Sequence, residues 1–204
     1  MATKNASSEF RILSLSGGGY LGLYTAVVLA DLEARVGEPL GRRFDLIAGT
    51  SVGGLLGLAL AYEVPMAQIV KLFVEKGEDI FSARKLPSGA VTRLLDLTRS
   101  VLGPKYTGET LRQELTRHLG ERTLGDALHA VVIPAVDVSR CATKVFKTPH
   151  ADTSLGDEDV RAVDVAMATS AAPAYFPSVQ IGHTLYADGG LFAMAPDQVA
   201  LHEA

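Results

Sequence analysis

The chain has 204 residues, 48% of them hydrophobic and 21% charged, with a formal net charge of −4. That length suits one large domain, the composition supports a sizeable core, and the acidic balance argues against a nucleic-acid polymer as partner. One cysteine, Cys141, allows no disulfide within the chain and reads as an inert turn residue.

Residues 1–9 are polar and read as a loose tail without an apolar leader. No run is long and apolar enough to span a bilayer, so the expected location is the cytoplasm, with any membrane contact peripheral. Phe10 to Leu15 is rich in strand formers and predicts a strand. Gly17-Gly18-Gly19 follows, and then Tyr20 to Val36 predicts a helix that stops at Gly37. Glycines between a strand and a helix leave backbone N–H groups bare and able to face an anion. Gly17, Gly19 and Gly22 also match the dinucleotide pattern G-x-G-x-x-G. That reading needs an acid at the end of the second strand, and the only acid there, Asp45, is near its start.

Phe44 to Ala48 predicts a buried strand, and Gly54 to Ala61 an apolar helix. Between them, Gly49-Thr50-Ser51-Val52-Gly53 places Ser51 at a strand-to-helix turn with a glycine two positions away on each side. This is the setting of a nucleophile elbow, where the turn leaves no room for flanking side chains. A glycine-lined turn with a helix-capping serine fits the same five residues.

A further helix is expected from Met66 to Lys76, ended by Gly77. Ala90 to Leu102 is amphipathic and reads as a core-covering helix or, alternatively, as a lid or interfacial helix. Thr107 predicts the N-cap of a helix that stops at Gly120. Ala130 to Val138 predicts a buried strand carrying Pro134, paired with Thr143 to Thr148. Val160 to Ala172 reads as a helix of small residues ended by Pro173. Val179 to Ile181 and Thr184 to Tyr186 form a hairpin over Gly182-His183, closed by Asp188-Gly189-Gly190. Pro196 to Ala204 reads as a helix start, so residues 10–204 are expected to form a single domain that is incomplete at its C-terminus.

A serine hydroxyl needs a base. None of His118, His129, His150, His183 and His202 has a context like that of Ser51. Asp188, at a strand end before two glycines, is better placed, and a dry site raises a carboxylate's proton affinity. A plain Asp-Gly-Gly turn is the structural alternative. No His, Cys or Asp cluster has metal-ligand spacing, and no cofactor is expected.

In this order, Gly17 to Gly22, Gly49 to Gly53 and Asp188 to Gly190, with the run Ala168 to Pro177 before the aspartate, resemble the patatin-like phospholipase family. The resemblance covers residues 10–197. It implies an α/β, three-layer patatin-like fold: a central, mostly parallel sheet with helices on both faces. It implies Ser51 as acyl nucleophile, Asp188 as base, and the amides of Gly17, Gly18 and Gly19 as oxyanion donors. The substrate would be a phospholipid at a membrane surface, with the protein peripheral to the inner membrane when active. A catalytically silent lipid-binding scaffold of the same fold is the alternative. Val132 to Asp137 and Lys144 to His150 look most like a bacterial anti-phage subset activated by a cyclic nucleotide. Two positions depart from the family pattern. Leu21 replaces its usual Arg or Lys, leaving the oxyanion site to backbone amides, and Ala193-Met194-Ala195 replaces its asparagines, which is expected to loosen the loop holding Asp188.

Overall fold

The structure, a computed structural model, describes residues 9–81, 106–150 and 156–204. The expected amphipathic helix over 90–102 lies outside them.

Strand β1 (Ile12–Leu15) leads through the glycine loop and a 3-10 turn into helix α1 (Gly22–Val36). Gly37 takes the left-handed conformation (φ 74°) that ends α1, as its glycine predicts. Strand β2 (Leu46–Gly49) feeds helix α2 (Val52–Ala61). Helix α3 spans Met66–Phe81, so Gly77 does not end it. That glycine makes room: a β-carbon there would lie 2.4 Å from the Tyr20 ring, which packs on α3 just after the glycine loop. Helix α4 (Glu109–Leu119) has Gly108 as its N-cap. The cap thus falls one residue after Thr107, where it was expected, and the Thr107 hydroxyl accepts the Glu109 amide.

The sheet is completed by β3 (Val131–Asp137), β4 (Ala142–Lys147), β5 (Val179–Ile181) and β6 (Thr184–Asp188). Helix α5 (Ala162–Thr169) precedes β5, and a short α6 (Gly190–Ala193) and then α7 (Asp197–Glu203) follow β6. The order β1-β2-β3-β6-β5, with β4 also on β3, makes a mixed sheet. β1, β2 and β3 are parallel, and the pairs β3–β4, β3–β6 and β5–β6 are antiparallel. The parallel character therefore belongs to the half that carries the glycine loop and Ser51. The antiparallel half is built from hairpins, whose tight turns can only join antiparallel strands.

Side-chain alternation sends Ile47, Val131 and Ile133 into the large core under α1–α5. Leu46, Ala48 and Val132 face the other way, against Ala200 and Val199 of α7.

One detail of the register positions everything that follows. β4 runs along one edge of β3, pairing Val132 to Asp137. The other edge is shared. β2 pairs with Val131 and Val132, while β6 runs in from the opposite direction and pairs with Ala135 to Asp137. The carboxyl ends of β2 and β6 thus meet head-on beside Pro134. The Val131 amide and carbonyl bond Thr148 toward β4, whereas Ala130 and Val138 bond toward β2 and β6. By alternation, Pro134 turns its nitrogen toward the junction, where neither strand offers a partner. A proline is harmless at that point.

Candidate active site

Ser51 and Asp188 occupy the two chain ends of this junction. The Ser51 hydroxyl donates to Asp188 Oδ2 at 2.8 Å, across 137 residues of sequence. Ser51 is the N-cap residue of α2, yet its side chain makes no capping bond, so the capping-serine reading does not hold. Its backbone sits at φ 55°, ψ −127°, a conformation that costs a non-glycine residue about 1–3 kcal/mol.

The elbow glycines are required by close approach. A β-carbon at Gly49 would lie 2.2 Å from the Gly53 carbonyl oxygen, and one at Gly53 would lie 2.1 Å from the Leu15 carbonyl oxygen. These contacts press the start of α2 against the ends of β1 and β2. Two buried hydroxyls pin the turn. Thr169 Oγ1 accepts the Ser51 amide at 3.0 Å and donates to the Pro134 carbonyl at 2.7 Å. Thr50 Oγ1 donates to the Ala193 carbonyl at 2.7 Å.

Asp188 is 5% exposed. Burial pushes its carboxyl above the ordinary carboxylate range, with the Gly190 amide and the Ser51 hydroxyl pulling partly back. The Gly190 amide donates to Oδ1 at 2.7 Å, leaving Oδ2 to the serine. Gly189 abuts the Pro134 carbonyl, where a β-carbon would come within 2.2 Å. So the Asp-Gly-Gly turn is close-packed and holds the carboxylate in one orientation. A strained serine bonded to a desolvated carboxylate can act as nucleophile and base.

A family model described as Patatin-like phospholipase matches residues 13–201. The chain belongs to the patatin-like phospholipase family. It is similar to a "cGAMP-activated phospholipase" of Pseudomonas aeruginosa, with 45% identity over 95% of this chain and 56% of that protein. A "cGAMP-activated phospholipase" of Vibrio cholerae is 37% identical over 98% of this chain and 59% of its own length. The chain therefore spans somewhat over half the length of these curated relatives. The crystal structure of VipD from Legionella pneumophila shares the fold, with a TM-score of 0.53 at 14% identity over 90% of this chain and 46% of VipD.

Within this patatin-like fold the glycine loop differs from expectation at Gly17. Its amide donates to the Met194 carbonyl at 2.8 Å, so it is not open to an incoming oxyanion. Among the described residues, no hydrogen bond occupies the amides of Gly18 and Gly19. Both have positive φ, 155° and 56°, which only glycine adopts freely and which turns the loop at this point. The loop passes close to the serine: a β-carbon at Gly17 would lie 3.2 Å from Ser51 Cβ.

The Ala193-Met194-Ala195 stretch does not leave the Asp188 loop loose. It is held through the backbone carbonyls of Ala193 and Met194, which any side chain would leave in place. Leu21 is 78% exposed and carries no charge to the loop. Asp45 accepts the Arg11 amide at the amino ends of β1 and β2, away from the glycine loop. His129 bonds Glu63, and His150 bonds Thr148 and faces Glu203. Among the described residues no group of His, Cys, Asp and Glu is placed to hold a metal ion. An apolar cavity of about 40 Å³ between α2, α3 and α4 is lined by Leu55, Phe73, Leu111 and His118. None of the site residues lines it.

Thr169 and Thr50 were not legible as site residues. Thr169 stands inside the Ala168 to Pro177 run, which was the only signal for it.

Proposed function

We propose that the protein is a phospholipid acyl hydrolase working through Ser51 and Asp188. The observation that carries this reading is the 2.8 Å hydrogen bond from the strained elbow serine to the buried carboxylate. Asp188 takes the hydroxyl proton as Ser51 Oγ bonds to the acyl carbonyl carbon. The carbonyl electron pair moves onto oxygen, facing the Gly18 and Gly19 amides. When the pair returns, the ester C–O bond breaks, and the leaving alkoxide takes the proton from Asp188. Water then repeats the sequence on the acyl-serine, with Asp188 again as base. A carboxylate is a sufficient base here because burial raises its proton affinity.

The names of the bacterial relatives support an activator of the same kind, so cGAMP is proposed as the ligand that switches hydrolysis on at a phospholipid membrane surface. The test is fatty-acid release from phospholipid vesicles by the purified protein, with and without cGAMP. Release that requires Ser51 and rises with cGAMP is expected. Wild-type release by Ser51→Ala would overturn the dyad. Equal release with and without cGAMP would overturn the activation. Labelling by a fluorophosphonate probe separates the enzyme from a silent scaffold, which would not react.

A further inference from the structure

We infer that Thr169 is a positioning residue that sets the reactive conformation of Ser51, an inference that rests on the Ser51–Asp188 reading above. The argument starts at the junction of β2 and β6. There the Pro134 carbonyl faces a gap in the ladder, and a buried carbonyl without a donor is costly. The Thr169 hydroxyl fills that gap at 2.7 Å. The same oxygen accepts the Ser51 amide at 3.0 Å.

The directions of these bonds are not free. An amide only donates and a carbonyl only accepts, so the hydroxyl proton must point at Pro134 and a lone pair at Ser51. Thr169 is fully buried and has no proton left for a substrate. It therefore acts through Ser51 and not on the ester. One consequence is that the Ser51 amide is spent on Thr169 and is not an oxyanion donor.

The methyl group has its own task. A β-carbon at Gly54 would lie 2.8 Å from Thr169 Cγ2, so the methyl sits tightly over the first turn of α2 and limits rotation of the side chain. Valine would keep that contact and lose both hydrogen bonds, and serine would keep the hydroxyl and lose the contact. Two residues further on, the Ala171 carbonyl accepts the Asp188 amide at 3.0 Å. Thr169 at the end of α5 and Ala171 just beyond it thus hold the backbone of the nucleophile and of the base. Ser170 between them shows that a buried hydroxyl is not enough, because among the described residues its oxygen has no partner.

Thr169→Val and Thr169→Ser are compared with wild type on a soluble short-chain ester. Rates are taken per folded molecule, well below each melting temperature. Thr169→Val is expected to lower kcat by about a hundredfold with KM nearly unchanged, the scale of a misplaced reacting group. Thr169→Ser should stay within about threefold of wild type. Hydrogen exchange at the Ser51 amide, read by NMR, should be slow in wild type and at least about tenfold faster in Thr169→Val. If Thr169→Val loses only thermal stability and keeps its kcat, Thr169 is merely structural and the inference is overturned. A fast-exchanging Ser51 amide in wild type overturns it whether or not the valine variant folds. Failure of the dyad itself looks different, since Ser51→Ala would then retain turnover while the exchange result stands on its own.

Discussion

The two ends of the β2–β3 pair are held by different physics. At the carboxyl ends, Ser51 and Asp188 are fixed by buried hydroxyls, backbone carbonyls and glycines packed against main chain. At the amino ends, Arg42 forks onto Glu63 at 2.7 and 3.0 Å, and His129 reaches the same carboxylate at 3.1 Å. The Arg42 side chain is 52% exposed, so water competes for every bond it makes. The Glu63 carboxyl is pulled below its usual range, chiefly by the Arg42 hydrogen bonds. The first end is short-range and dry, and tolerates almost no change in atom positions. The second is charged and wet, with bonds that water can replace. The proposed chemistry sits at the dry end.

Substitutions can break or sharpen that contrast. The largest effect on turnover is expected from Ser51→Ala and Asp188→Asn. Each should lower ester hydrolysis by at least about two to three orders of magnitude, measured at saturating substrate. Asp188→Asn carries a second expectation. The native carboxyl holds its proton to a higher pH than the unfolded one, so wild type loses stability as pH rises through the raised value. The melting temperature of Asp188→Asn relative to wild type should therefore climb over that interval, starting from the ordinary carboxylate range near about 4. A flat difference across the same pH range would show that Asp188 is not desolvated.

Gly53→Ala comes next. Its β-carbon would meet the Leu15 carbonyl oxygen at 2.1 Å, and backbone cannot rotate away. The expected cost is at or above the upper end of the about 1–3 kcal/mol range for overpacking, read by denaturant unfolding. A variant as stable as wild type would contradict the close packing of the elbow. Thr50→Val should be milder. It removes the donor to the buried Ala193 carbonyl, which costs about 1–3 kcal/mol. Turnover should fall with it, because that bond ties the segment after Asp188 to the elbow. Arg42→Ala should have the smallest effect: unchanged turnover and the least shift in melting temperature of the set. If Arg42→Ala lowered turnover as Thr50→Val does, the two ends would not be separable.

What could be read in advance follows the same division. The elbow, the glycine loop and the Asp-Gly-Gly turn were all legible, because each needs a short backbone path that only certain residues allow. Gly77 was misread as a helix stop because its reason is the Tyr20 ring, 57 positions away in sequence and absent from any local pattern. α6 was not anticipated, since Gly190–Ala193 is shorter than any helical periodicity can show. Gly17 was taken as an oxyanion donor from the family resemblance, while the carbonyl that takes its amide comes from Met194 at the far end of the chain.

Local sequence marked Ser51, Asp188 and the glycine loop as the candidate site, because a sharp turn, a glycine loop and an acid at a strand end are each written within a few residues. The tertiary structure alone decided how they meet. β2 and β6 approach Pro134 from opposite directions along one edge of β3, and Thr169 fills the gap between them. That arrangement depends on strand register and on hydrogen bonds spanning more than a hundred residues, such as the 118 between Ser51 and Thr169. Such distances exceed the reach of any periodicity or motif.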